Sequence, residues 1–173
     1  MTARVFVDTC VFLYAHDESE PQKRPRARAW LEHLWREMAG RTSMPVLSEY
    51  YLTVSRKLDP GLKADDAWGD VAIYFAWRPQ PMDEPLISRA RLIEQRHHLG
   101  WWDSMIVGAA QLQDCTIVLT ENLPDGATYG DVIVRSPFTL DAREPAAAYA
   151  PKPTASRSRH RPRGRPKRET AKV

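Results

Sequence analysis

Three acidic residues stand where the chain changes character: Asp8, Glu49 and Asp103. Asp8 ends the apolar run Val5-Phe6-Val7, and Thr9 follows it. Glu49 comes just after Pro45-Val46-Leu47-Ser48, and Asp103 follows Trp101-Trp102 at the head of an apolar stripe. A polar group, Thr120-Glu121-Asn122 with Asp125 beyond it, closes a second apolar run, Thr116-Ile117-Val118-Leu119. Carboxylate and amide oxygens are hard donors. Several of them brought together suit Mg2+ or Mn2+ rather than a softer metal. A divalent ion held against a phosphodiester activates water and stabilises charge on the leaving oxygen. Each acid also has a plainer use: Asp8 or Thr9 can cap a helix, and a carboxylate early in a helix, such as Glu49, is favoured by the dipole.

The elements that must position these residues follow from periodicity. Three consecutive apolar residues at Val5–Val7 predict a strand buried on both faces, as in a parallel sheet. Cys10–Ala15 predicts a helix, so Asp8 falls at a strand-to-helix turn. In open α/β sheets that edge is where ligands bind. Thr116–Leu119 is a second such strand and Val132-Ile133-Val134 a last one. If the first two run parallel, the polar residues after Leu119 face the same edge as Asp8. A helix from about Pro25 places Ala27, Trp30, Leu31, Leu34, Trp35 and Met38 on a buried face and ends at Gly40. The next starts near Pro45 and stops at Asp59-Pro60-Gly61. A third, from Lys63, turns Ala64, Trp68, Val71, Ala72 and Phe75 to one side. A short strand is expected over Arg78–Pro81, then a helix capped by Asp83 and running to about His98. In the helix after Gly100, Asp103, Ile106, Val107 and Ala110 fall at i, i+3, i+4 and i+7. A carboxylate heading a buried stripe must be paired, capping or holding a cation. Gly108, Ala109 and Ala110 let another element approach closely.

The 173 residues suit one compact domain and a tail. No secretory leader or membrane-spanning run is read, and Cys10 and Cys115 have no zinc-type spacing, so a reduced cytoplasmic protein is expected. The net charge of +3 conceals an asymmetry. Residues 151–173 carry nine Lys/Arg and one acid, leaving sixteen basic and twenty-one acidic residues before them. A basic arm on an acidic body points to a polyanionic partner. The division expected is a domain over 1–141 and a disordered basic tail over 142–173.

Four segments resemble the signature segments of PIN-domain proteins, closest to the VapC-type toxin ribonucleases: Val5-Phe6-Val7-Asp8-Thr9, Pro45-Val46-Leu47-Ser48-Glu49, Trp102 through Ala110, and Leu119 through Gly126. The resemblance covers about residues 4 to 140, in order. It implies an α/β, three-layer fold with a short central parallel sheet flanked by helices. It also implies a Mg2+- or Mn2+-dependent endoribonuclease acting on RNA, a homodimer, and a cognate antitoxin. Asp8, Glu49 and Asp103 match the family's acidic metal positions, and the usual fourth acid falls on Asn122. Thr9, Thr120 and Glu121 are candidates to orient metal or phosphate, and Glu121 or Asp125 could make up the missing charge. Competing chemistries lack their residues. A haloacid-dehalogenase-like phosphatase needs an acid where Cys10 stands, no Gly-rich phosphate loop follows the first strand, and no Ser/His pair sits in a nucleophile elbow.

In the tail, Arg161-Pro162-Arg163-Gly164-Arg165-Pro166-Lys167-Arg168 resembles an AT-hook. Gly164 lets the backbone approach a narrow minor groove, and Arg163 and Arg165 extend along it where A·T tracts concentrate negative potential. The same residues also read as a merely basic arm with salt-dependent attraction to nucleic acid. The alternative function is a catalytically weak or inactive module that binds DNA through this tail.

Overall fold

The computed structural model describes residues 3–139. The expected tail over 142–173, its AT-hook-like residues and the boundary at 141 lie outside the described residues. The first strand, β1 (Val5–Val7), is buried at every position and leads directly into α1 (Thr9–Tyr14). Next come α2 (Lys23–Arg36), β2 (Gly40–Arg41), α3 (Met44–Arg56), α4 (Ala64–Tyr74), α5 (Glu84–His97) and α6 (Trp101–Leu112). The chain closes with β3 (Ile117–Leu119), β4 (Thr128–Tyr129) and β5 (Val132–Arg135).

The strands form one sheet in the order β2-β1-β3-β5-β4. β1 pairs in parallel with β2 and β3, β3 in parallel with β5, and β4 is the antiparallel edge. Val5, Phe6 and Val7 stand opposite Ile117, Val118 and Leu119. All six are buried, as a parallel sheet covered by helices on both faces requires. This is the expected α/β architecture with flanking helices.

Capping places the helix starts near the site. The Asp8 carboxylate accepts from the Thr9 amide, the Ser43 hydroxyl from Val46, and Asp83 from Leu86. Gly108 lets α5 and α6 meet closely: a Cβ there would lie 3.3 Å from Arg89 Cγ and 3.4 Å from the Ala90 nitrogen.

Several expectations are corrected. Gly40 does not merely end α2; it opens β2, beneath Trp77, whose ring would lie 2.5 Å from a Cβ at that position. Met38 is exposed, because α2 ends before it and it takes a left-handed backbone (φ 51°) in the turn. On α4 the buried residues are Ala67 and Val71, and Trp68 and Phe75 stay exposed. Over Arg78–Pro81 there is no strand, only an isolated parallel bridge from Gln80 to Ser43. Among the described residues no helix is long and apolar enough to cross a membrane.

Candidate active site

Asp8 is the floor of the site. Its backbone amide donates to the Leu119 carbonyl at 3.1 Å, which ties it to the neighbouring strand. Its carboxylate is 5% exposed. Oδ1 accepts from the Thr9 amide at 2.7 Å; Oδ2 accepts from the Thr120 hydroxyl at 2.6 Å and from the Asn122 side-chain amide at 3.3 Å. The Thr120 hydroxyl in turn accepts from the Asn122 backbone amide at 3.1 Å. Burial pushes the Asp8 carboxyl above its ordinary pKa. The Thr120 and Thr9 donors oppose that, and Glu49 and Asp103 add to it by repulsion.

Two further carboxylates line the same cavity of 670 Å³ as Asp8 and Asn122. Glu49 projects from α3, and the Thr9 hydroxyl donates to its Oε2 at 2.7 Å. Asp103 lies in the first turn of α6, where the helix N-terminus favours a negative charge. Its carboxyl is also raised, by burial. So Asp8, Glu49, Asp103 and Asn122 share one cavity. Thr9 and Thr120 are buried beside it as braces, one holding Glu49 and the other Asp8.

Glu121 does not join them. Its Oε1 accepts from the Tyr14 hydroxyl at 2.5 Å, and its Oε2 pairs with Lys23 Nζ at 2.9 Å. Asp125 accepts from the Ser136 amide at 2.8 Å. Neither lines the cavity, so neither supplies the charge that Asn122 lacks. The chain bends over residues 121–123, with the Asn122 amide donating to the Thr120 hydroxyl; Thr120 and Asn122 turn toward Asp8 and Glu121 toward Tyr14 and Lys23. Cys10 packs 3.9 Å from the Thr120 hydroxyl, and burial, with Asp8 beside it, pushes its thiol up to about 12. It is a packing residue, not a reactive thiolate.

Among the described residues, no Lys, Arg or His pairs with Asp8, Glu49 or Asp103. Nor do any three Asp, Glu, His or Cys side chains stand close enough together to hold an ion as they are. Donor type still fits a hard divalent cation. A buried carboxylate facing two others without a positive partner is an arrangement that neutralisation relieves, and hard oxygens are the donors that Mg2+ and Mn2+ take.

The family model of the PIN domain matches residues 5–123. This chain belongs to the PIN-domain family. The PIN match contains β1, all six helices and β3, and with them Asp8, Glu49, Asp103 and Asn122. Among solved structures, the PIN chain is similar to VapBC2 from Rickettsia felis bound to a DNA fragment from their promoter. The identity is 15% over 76% of this chain and 97% of that one, with a TM-score of 0.52. It also matches VapC20 from Mycobacterium tuberculosis, a toxin cleaving the sarcin-ricin loop, at 17% identity over 66% of this chain and 86% of that one, with a TM-score of 0.47. The first of these likenesses supports the PIN fold and no more. No curated protein matches the chain. Membership of the family supports a nuclease role at family level.

Proposed function

We propose that this protein is a metal-dependent endoribonuclease that hydrolyses RNA phosphodiesters, and the toxin of a toxin–antitoxin pair. The observation that carries the nuclease reading is the cavity shared by Asp8, Glu49 and Asp103, none of which is ion-paired with a described Lys, Arg or His. In this reading those three carboxylates hold Mg2+ or Mn2+, and Asn122 adds a neutral oxygen or amide donor. A divalent ion so held supplies activation of water and neutralisation of phosphate charge. The chain's own residues do the rest. Thr120 and Asn122 fix the direction of the Asp8 carboxylate, and Thr9 fixes Glu49. Asp103 stands at the rim, half-buried.

The toxin reading draws on the four signature segments and on the fold shared with VapBC2, and it brings an antitoxin partner with it. A homodimer is part of the proposal. Exposed Trp68, Ile73 and Phe75 on and just after α4 offer an apolar surface for it. The basic tail is proposed to bind nucleic acid, with AT-rich DNA as the target that its Arg-Gly-Arg core fits.

The test is cleavage of RNA by the purified protein, freed of any bound antitoxin, with Mg2+ or Mn2+. Cutting is expected, and it should vanish in Asp8→Asn and in EDTA. No cutting with either metal would sink the reading and leave the DNA-tethered binding module in its place.

A further inference from the structure

The cavity that holds the three carboxylates has a second half that metal chemistry does not use. Trp102 is 65% exposed, and Met44, Leu52 and Met82 are exposed with it; all four line this cavity. Trp102 makes no ring contact and donates no indole hydrogen bond to another described residue. Met105 and Ala109, one and two turns further along α6, are buried, but Trp102 itself stays exposed, so packing does not account for it. The opposite wall gives the cavity a direction. Glu49, Leu52, Thr53 and Lys57 all line it, at the three-and-four spacing of one face of α3 and its C-cap. Eight residues at helical rise separate Glu49 from Lys57 by about 12 Å. Along that wall the cavity is acidic, then apolar, then cationic.

We infer that the apolar half is a nucleobase subsite. An unpaired base beside the scissile phosphate stacks on Trp102, with its outer phosphate toward Lys57. This rests on the nuclease reading above and adds a specificity-determining residue to it. Single-stranded RNA is bound by this combination, an aromatic face for the base and a cation for the backbone. A protein partner fits less well. A stable protein interface takes about 800 Å² from each side, and four side chains around a concave opening offer well short of that.

The test uses the full chain, with Trp102→Ala and Trp102→Phe. Salt is raised to suppress attraction by the tail. The substrates are a single-stranded oligoribonucleotide that the parent cleaves and copies of it with one abasic nucleotide at each position flanking the cut. Trp102→Ala should raise KM about tenfold with little change in kcat, a size typical of one base–aromatic stack, and Trp102→Phe should recover most of it. One abasic position should cost the parent about as much and cost Trp102→Ala nothing further. Parental KM with parental abasic sensitivity in Trp102→Ala overturns the proposal. So does unchanged RNA kinetics with loss of a co-purifying protein partner, which assigns the patch to protein docking. A parent inert on RNA defeats the nuclease reading but not the stack. Binding of a labelled single-stranded oligoribonucleotide in EDTA at the same raised salt then decides, and equal affinity of parent and Trp102→Ala overturns the stack as well.

Discussion

Thr120 is 1% exposed, and its hydroxyl serves both sides of the site floor. It donates to Asp8 Oδ2 at 2.6 Å and accepts from the Asn122 amide at 3.1 Å. Thr120→Val keeps the shape and removes both bonds. A hydrogen bond to a charged group is worth about 1.5–3 kcal/mol, and an orphaned amide costs about another 1 kcal/mol. The domain should therefore lose about 2–4 kcal/mol, or about 10 °C in Tm. Thr120→Ser keeps the hydroxyl and should lose little more than a methyl group's packing, about 1 kcal/mol. The sign for Asp8 also follows. The Thr120 bond favours the ionised carboxylate, so its loss moves an already raised pKa further up, and Mn2+ binding should require a higher pH. Thermal unfolding in EDTA at pH 7 and Mn2+ titrations between pH 5 and 8 measure the two effects. If Thr120→Val melts within about 2 °C of Thr120→Ser, and binds Mn2+ with the same pH dependence, the account of the site floor is wrong.

Burial raises both Asp8 and Asp103, so the folded metal-free protein holds these protons more tightly than the unfolded chain. Their contribution to stability is therefore full below the ordinary value of 3.8 and is lost as pH rises through the raised values. The Tm rise given by Mn2+ should grow over that same range and be absent in Asp8→Asn, which scanning calorimetry with Mn2+ or EDTA would show. Asn122→Asp should tighten Mn2+ binding measured by calorimetry and lower metal-free stability by about 1 kcal/mol through added like charge; an inert parent beside an active Asn122→Asp would favour the DNA-binding alternative. Deleting residues 151–173 should weaken nucleic-acid binding and flatten its salt dependence while metal-dependent cleavage persists; unchanged affinity at low salt would refute a binding role for the tail. Gly40→Ala should cost about 1–3 kcal/mol in denaturant unfolding, because the new methyl group meets the Trp77 ring.

Much of this arrangement is legible in the chain. Runs such as Val5–Val7 and Ile117–Leu119 are apolar at every position because both faces of their strands are covered. Helix starts at Pro45 and Pro85 follow from the fixed φ of proline and from Ser43 and Asp83 as caps. The two-residue strands β2 and β4 are not legible. Gly40-Arg41 and Thr128-Tyr129 are too short to show alternation, and only their partners define them. On α4 the large apolar residues suggest the buried side, but small Ala67 and Val71 take the inner face and Trp68 stays outside. At the site, residue types mark the carboxylates, but which polar residue after Leu119 turns toward Asp8 is set by the bend over residues 121–123, which no periodicity announces. The ion pair of Lys23 with Glu121 joins residues 98 apart in sequence and has no local signal. Trp102 has no signal of its own in the sequence, because an aromatic residue three before Met105 and seven before Ala109 reads as helix packing; only its exposure sets it apart.

β1 lies between two partners in the sheet, and the Asp8 amide extends its ladder by one bond to Leu119. Amides in the middle of such a sheet open only with the whole domain, whereas helix ends open locally and often. Hydrogen exchange should accordingly be slowest around Val7, Asp8 and Leu119 and faster in the first turns of α3 and α6. The site then resembles a vice with two set jaws, Asp8 in the sheet and Glu49 held by Thr9, and one adjustable jaw, Asp103 in the first turn of α6. If the site holds a divalent ion as proposed, part of its binding free energy would go into ordering that turn, and affinity would depend on the stiffness of one helix end as well as on the number of carboxylates. A substitution that rigidifies the start of α6, without touching an acid, should then tighten metal binding by sparing that ordering cost.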